Sequence, residues 1–335
     1  FFFSSRRRHT RLLTVAGVQT CALPISAPPP SGYGENTLGE IAESDRVRPP
    51  DLSTVFVRRA ARLRELAPGH ELEAFLRMVA ALVDAQQAAL GQLPPGVLPG
   101  PAELAKAKKA GRAPVDPAQW PRDPSWQAAL ARLLASVDET ALPEPARQAR
   151  AALAKARPED LEAMADRFLS GEILPTEAAR SVFVAAALQV VWTRMAALID
   201  REDLRGDRPE TGECPSCGSP ALAGLVSPGG TKFGHRHLHC SLCATSWRYV
   251  RSRCVHCGST DKISYRQLAG TTFLRAECCE ACHGYSKVFF LEAARPLEPL
   301  ADDLASLGLD LLVGEEGFAR VANPFLLGVQ EPTNS

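Results

Sequence analysis

The sequence predicts an α+β protein of several domains: a helical N-terminal bundle followed by two tandem ribbon-like units, each built to bind a metal ion. Three observations carry this. Apolar residues recur at helical spacing from about residue 51 to 205, and four Cys-x-x-Cys pairs lie within residues 214–282. After Gly212 the composition turns to glycine, cysteine and short β-type runs.

Residues 1–50 read as a leader. Arg6, Arg7, Arg8 and His9 precede a short apolar run that begins at Leu12, which imitates a twin-arginine export signal. Gln19 and Thr20 interrupt that run and no Ala-x-Ala cleavage site follows. Residues 1–26 instead resemble the conceptual translation of sequencing-adapter DNA joined to an open reading frame, which also accounts for Cys21. A segment of that origin was never selected to fit a core, so it is expected to pack against nothing. Residues 27–50 are rich in Pro and Gly.

Residues 51–205 form the helical domain. A short helix over 53–67 is followed by a longer one carrying Leu72, Phe75, Leu76, Val79, Leu82, Val83 and Leu90, one apolar face at three- and four-residue steps. Eight prolines make residues 91–124 a long loop around a basic patch at Lys106, Lys108 and Lys109. Ser125 is placed as the cap of a helix carrying Trp126, Leu130, Leu133, Leu134 and Val137. Pro158 opens another at a favoured first-turn position, and Gly171 stops it. Residues 176–200 are apolar on most faces, as suits the central helix of a bundle.

Residues 212–250 and 251–292 are the two metal units. Cys214-Pro-Ser-Cys217-Gly-Ser is echoed 40 residues later by Cys254-Val-His-Cys257-Gly-Ser, and Cys240 is echoed 39 residues later by Cys279. A Cys-x-x-Cys turn sets two thiolates on one side of a tight knuckle, and two facing knuckles supply four sulfurs at tetrahedral corners. The repeat therefore pairs Cys214, Cys217, Cys240 and Cys243 at one centre and Cys254, Cys257, Cys279 and Cys282 at a second. An interleaved pairing, first knuckle with third, breaks the repeat and is the lesser alternative. Gly218 and Gly258 follow their knuckles where a left-handed backbone is needed. Runs at 233–238, 246–250 and 287–291 are the expected strands. In residues 293–335 a last helix is expected over 300–313, with Asp302 and Asp303 in its first turn suiting the dipole.

The 335 residues carry no net charge, and 45% are hydrophobic, so a real core is expected. Cysteines concentrated in knuckles argue for a reducing compartment, the cytoplasm, rather than a secreted disulfide framework. The longest apolar run outside the leader, residues 182–192, falls short of the roughly 20 residues a bilayer requires, so no membrane insertion is expected. Residues 212–290 hold nine Lys/Arg against four Asp/Glu. Two M²⁺(Cys⁻)₄ centres, at −2 each, cancel most of that excess, too little for binding driven by phosphate neutralisation. His235, His237 and His239 with Arg248, Arg251 and Arg253 then read as a solvated polar face. No phosphate-binding glycine loop, HExxH or GxSxG motif is present, so no catalytic residue is assigned.

On these residues the chain resembles the formate dehydrogenase accessory protein family, FdhE. The resemblance is most specific at Cys214-Pro-x-Cys217-Gly-Ser, at Leu238-His239-Cys240-Ser-Leu-Cys243-Ala-Thr-x-Trp247 and at Ala276-Glu277-x-Cys279-x-x-Cys282. It continues through Ala301-Asp302-Asp303-Leu304-Ala-Ser-Leu307 to Asn323-Pro324-Phe325. It implies two rubredoxin-like sites behind a helical domain, with iron favoured over zinc as the two bound ions. It also implies a cytoplasmic, non-enzymatic assembly factor for respiratory, molybdopterin-containing formate dehydrogenase, engaging that enzyme's catalytic subunit before export.

Each four-sulfur site is expected first to be a structural staple, because ribbons this small bury too little apolar area to fold alone. The sharper reading is one-electron chemistry at iron. Cys278 reads as a spare thiol within reach of the second site, which makes that site the one with a role beyond folding. A rubredoxin-like electron carrier is the first alternative function, though it has no use for a large helical body. A zinc-ribbon-like nucleic-acid-binding protein is the second.

Overall fold

The computed structural model describes residues 12–15, 46–93, 97–204, 211–227, 235–291, 296–320 and 322. The Asn323-Pro324-Phe325 motif, most of residues 1–50, and Phe233 at the head of an expected strand lie outside the described residues. Strand β1 is Leu12–Val15 and β2 is Val47–Arg48. Helices α1 (Val55–Leu66) and α2 (Glu73–Leu90) follow; of the face that the spacing predicts, Leu76, Val79, Leu82 and Val83 are buried and Leu72, Phe75 and Leu90 half-buried against them, while Phe56 and Leu63 are the buried side of α1.

Residues 91–124 are not simply a loop. Helix α3 (Pro101–Lys109) forms inside them, because Pro101 sits in the first turn, where its missing N–H costs nothing. Glu103 in the first turn and Lys106, Lys108 and Lys109 in the last complement the helix dipole. Helix α4 (Ser125–Ser136) is started differently from the expectation. The Asp123 carboxylate, not the Ser125 hydroxyl, accepts from a first-turn amide, the N–H of Ser125 at 2.9 Å. Helices α5 (Glu144–Leu153) and α6 (Pro158–Ser170) come next, and Gly171 ends α6 at φ 79° in the left-handed region that favours glycine.

Helix α7 (Ala178–Leu198) is buried over most of its length, and α2, α4, α5 and α6 pack around it. An unbroken helical stretch of 24 residues, Pro175–Leu198, is long and apolar enough to cross a bilayer, twice the span of the apolar run seen in the sequence. That stretch is mostly buried against the rest of the protein, as for a central bundle helix. Polar residues within it have partners: Gln189 meets Gln86 of α2 at 3.1 Å, and the Trp192 indole donates to the Val115 carbonyl at 2.9 Å.

The sheet half contains β3 (Ala221–Val226), β4 (Arg236–Cys240), β5 (Ser246–Tyr249), β6 (Ile263–Leu268), β7 (Leu274–Cys279) and β8 (Gly284–Phe290). Each unit is an antiparallel trio, β3-β4-β5 and β6-β7-β8. The two trios are not separate ribbons. Strands β3 and β8 pair in parallel, with Ala223 opposite Lys287 and Val226 opposite Phe290, so the described strands make one sheet in the order β1-β6-β7-β8-β3-β4-β5-β2. Joining the trios satisfies two rows of backbone groups that two isolated ribbons would leave bare. A buried ion pair, Arg236 on β4 to Glu277 on β7 at 2.9 Å, ties the units a second time.

The expectation that residues 1–26 pack against nothing is overturned at β1, which pairs antiparallel with β6, Leu12 opposite Leu268 and Val15 opposite Tyr265. An edge strand presents unpaired N–H and C=O groups, and any extended segment of sufficient β-propensity can add to it.

The expected last helix is two. Helix α8 (Pro299–Leu304) and α9 (Leu307–Glu315) are separated at Ala305–Ser306, followed by the short strand β9 (Ala319–Arg320) beside the start of β8. The break has a visible cause: the buried Lys287 ammonium donates to the carbonyls of Asp303 at 2.9 Å and Ser306 at 3.2 Å, groups that a continuous helix would use internally. Asp302 and Asp303 are also more than dipole partners. Both are buried; Arg62 of α1 grips Asp302, and Lys287 and Arg320 meet Asp303. Helix α8 thereby fastens the helical domain to the sheet.

Candidate metal centres

Each knuckle is folded by the same local bonds. The N–H of Cys214 donates to the Ser219 carbonyl at 2.9 Å and that of Gly218 to the Cys214 carbonyl at 2.8 Å; Cys254, Ser259 and Gly258 repeat the pattern at 2.8 and 3.1 Å. The residue after the second cysteine has positive φ in all four knuckles: Gly218 at 75°, Ala244 at 59°, Gly258 at 73° and His283 at 53°. Glycine marked only two of these four turns in the sequence. Ala244 and His283 hold the same conformation against a cost of about 1–2 kcal/mol.

The structure brings the eight cysteines into the two tandem quartets, not the interleaved ones. Cys214, Cys217, Cys240 and Cys243 form one group and Cys254, Cys257, Cys279 and Cys282 the other, with all sulfurs of a group within 4.8 Å of one another. The closest sulfur pairs are 3.5 and 3.4 Å apart in the first group and 3.8 and 3.7 Å in the second. Four sulfurs about 2.3 Å from a common centre lie about 3.8 Å apart, so both groups have the size of a tetrahedral thiolate site. Either group could hold a metal ion.

The electrostatics fit a cation. Burial and the neighbouring thiols, including the charge on Cys214, hold Cys240 and Cys243 well above the ordinary thiol range, and burial pushes Cys254 up to about 12. Four thiolates cannot share such a space without a positive centre to offset them. Backbone amides contribute: Leu242 and Cys243 donate to the Cys240 sulfur, each at 3.3 Å, as do His256 to Cys254 and Gly284 to Cys282, each at 3.4 Å.

The quartets differ in their surroundings. All four cysteines of the first are buried, whereas Cys257 and Cys282 of the second are exposed. The helical domain covers the first. The Val115 N–H donates to the Ser216 carbonyl at 3.1 Å, and the Gln189 amide of α7 donates to the Ser241 carbonyl at 3.0 Å. Between the knuckles the hydroxyls of Ser216 and Thr245 meet at 3.0 Å. Sequence reasoning missed these covering residues, although a lone Gln189 inside an apolar run was a legible sign of a buried polar partner.

Two expectations fail here. Cys278 does not add a thiol to the second site: strand alternation turns it to the face opposite Cys279, where it is buried in the core, and burial pushes its thiol up to about 12. Nor is the His/Arg set a single solvated face, although Arg251 is exposed and His235 half-buried. His237 and His239 are buried, His239 hydrogen-bonds Ser246 at 3.0 Å, and burial together with the Arg59 charge lowers it to about 3, so it is neutral. Arg59 of α1 lies near His239 on that side and α8 packs on the neighbouring β3, which the polar sequence of β4 did not reveal.

Comparisons with known proteins agree with this architecture. Residues 44–207 match the family description "FdhE, N-terminal", residues 213–251 "FdhE, central domain" and residues 252–327 "FdhE, C-terminal domain". A Protein FdhE homolog of Pseudomonas aeruginosa is 39% identical over 284 residues, covering 82% of this chain and 90% of the relative. Protein FdhE of Escherichia coli K12 is 36% identical over 283 residues, covering 83% and 89%. The crystal structure of the FdhE protein from Pseudomonas aeruginosa superposes with a TM-score of 0.75 at 36% identity, over 84% of this chain and 99% of that one. With all three parts of the fold matched in order and relatives aligned across most of their length, the chain belongs to the FdhE family.

Proposed function

We propose that this chain is a non-enzymatic accessory factor for formate dehydrogenase, needed for that enzyme to become active. In this reading it acts in the cytoplasm and binds the molybdopterin-containing catalytic subunit before export. The observation that carries it is membership of the FdhE family across the helical, central and C-terminal parts together. A large helical body fused to two small centres suits a protein that grips another protein.

Cys214, Cys217, Cys240 and Cys243 would hold one ion, and Cys254, Cys257, Cys279 and Cys282 the second, with iron favoured and zinc the alternative. Such an ion supplies folding free energy on the order of 10 kcal/mol to an isolated ribbon, and less to a unit that, as here, shares its sheet with a neighbour. At the first centre, buried against α7, that staple is its role. The exposed sulfurs of Cys257 and Cys282 favour a second reading for the other centre, electron exchange of the rubredoxin kind.

The test combines pull-down by tagged catalytic subunit with elemental analysis of the purified chain and complementation of an accessory-deficient strain. Retention on the subunit, two ions per chain and restored formate dehydrogenase activity are expected. Absence of both retention and complementation overturns the assignment.

A further inference from the structure

The internal repeat allows the two knuckle faces to be compared position by position. In the first unit the middle of each knuckle, Ser216 and Ser241, presents a carbonyl to the helical domain and receives an N–H from Val115 or Gln189. Their counterparts in the second unit are His256 and Glu280. Among the described residues, no donor meets either of those carbonyls. Burial is likewise unmatched: Leu242 is 5% exposed within the core, while its counterpart Ala281 is exposed beside Cys282. The second unit thus carries the same face that its twin uses for protein contact, without the helical body upon it.

Building on the accessory-factor reading, we infer that the face formed by His256, Cys257, Glu280, Ala281 and Cys282 is the surface that docks the partner protein. Its occupant is a helix-and-loop surface that offers amide N–H donors, from backbone or Asn/Gln side chains, as Val115 and Gln189 do in the first unit. The chemistry selects donors. Two knuckle carbonyls accept and a thiolate centre with its ion is net negative, so N–H groups are stabilised there and carboxylates are not; the Glu280 carboxylate at the rim is already engaged by the Ser264 hydroxyl at 3.0 Å and Arg266 at 3.9 Å. A small residue at 281 lets a partner backbone approach the knuckle closely.

The experiment uses the full metal-loaded chain and tagged formate dehydrogenase catalytic subunit. Ala281→Arg and Glu280→Lys each leave all eight cysteines in place. We expect each to weaken binding at least tenfold with two ions per chain retained, while Leu311→Arg, on an exposed position of α9, binds as wild type. Hydrogen exchange on the wild-type complex should show residues 254–258 and 279–283 slowed, a readout independent of how the variants fold. Wild-type binding with neither segment protected, or with both variants inside twofold of wild type, overturns the surface and leaves the accessory role standing. A wild-type chain that does not bind the subunit overturns the accessory reading itself. Self-association that Ala281→Arg abolishes in sedimentation replaces the partner with a second copy, and also overturns the inference.

Discussion

Asp302 and Asp303 are neighbours on α8, yet their carboxylates serve different halves of the protein. Asp302 accepts two bonds from Arg62 of α1, at 3.0 and 2.8 Å, and Asp303 accepts from Arg320 at 2.5 Å beside β8. One turn of helix therefore carries both sides of the junction, and it does so with buried charge.

Removing one partner of a buried pair leaves the other charge unsatisfied. Arg62→Ala and Asp302→Ala should each lower unfolding stability by about 3 kcal/mol, and the double variant should lose far less than the sum. Urea denaturation of the four proteins in the cycle checks this. Additive losses would mean that Arg62 and Asp302 do not act as a pair.

The two centres should release metal in separate phases. A competing chelator should strip the Cys254/Cys257/Cys279/Cys282 centre from the folded chain through its exposed sulfurs, while the buried centre lets go only on unfolding. Cys217→Ser should lower soluble yield and helical circular dichroism, and Cys257→Ser should stay folded with one ion but fail in complementation. A single release phase, or full complementation by a metal-depleted Cys257→Ser chain, would count against the division.

Most of the candidate site was legible in the sequence and much of its environment was not. Cysteine spacing is a local property and an internal repeat fixes its phase, so the quartets could be read directly. What covers Cys217 and Cys243 depends on Val115 and Gln189, residues far away in the chain whose types say nothing about where they dock. Strands β3, β6 and β7 went unread because β3 is apolar throughout with Gly224 inside it, Gln267 breaks the phase of β6, and the polar Arg275 and Glu277 give β7 the look of a surface segment. Glu277 is polar because it pairs with buried Arg236, and position 224 is a glycine where the Arg236 guanidinium lies 2.8 Å from any added Cβ. The helix over 300–313 was broken by Lys287, a residue of another element, which no local pattern announces.

Ala244 tests the knuckle geometry without touching a ligand. Ala244→Gly should stabilise the chain by about 0.5–1 kcal/mol, the relief of a left-handed alanine less the added freedom of glycine in the unfolded state. Gly218→Ala should cost about 1 kcal/mol, since the nearest atoms to a new Cβ are at 3.7 Å and only the backbone resists. Thermal unfolding of the two variants should move in opposite directions; movement in the same direction would show that something other than φ governs these turns.

Tyrosine ionisation gives a pH signature. Burial, then the Glu277 charge, pushes Tyr265 up to about 12, and burial raises Tyr249 and Tyr285 too. A tyrosine raised above its unfolded value stabilises the fold fully below about pH 10 and withdraws that contribution as pH climbs from 10 to 12. Absorbance titration of the native chain should therefore show Tyr265 still protonated at pH 10.5, and Tyr265→Phe should flatten the alkaline decline in stability. Ordinary titration of all four tyrosines near 10 would contradict the buried placement.

The bond from Arg62 to Asp302 spans 240 positions of chain, and the parallel pairing of Ala223 with Lys287 closes the sheet only after the second unit has been made. On the ribosome, the helical half therefore emerges long before the turn of helix that locks it, and its α1 surface waits with two buried-type arginines, Arg59 and Arg62, still in water. A chain that stops before residue 299 has neither Asp302 nor Asp303, so Arg62 and Lys287 have no buried carboxylate of α8 to meet until the last tenth of the chain is made.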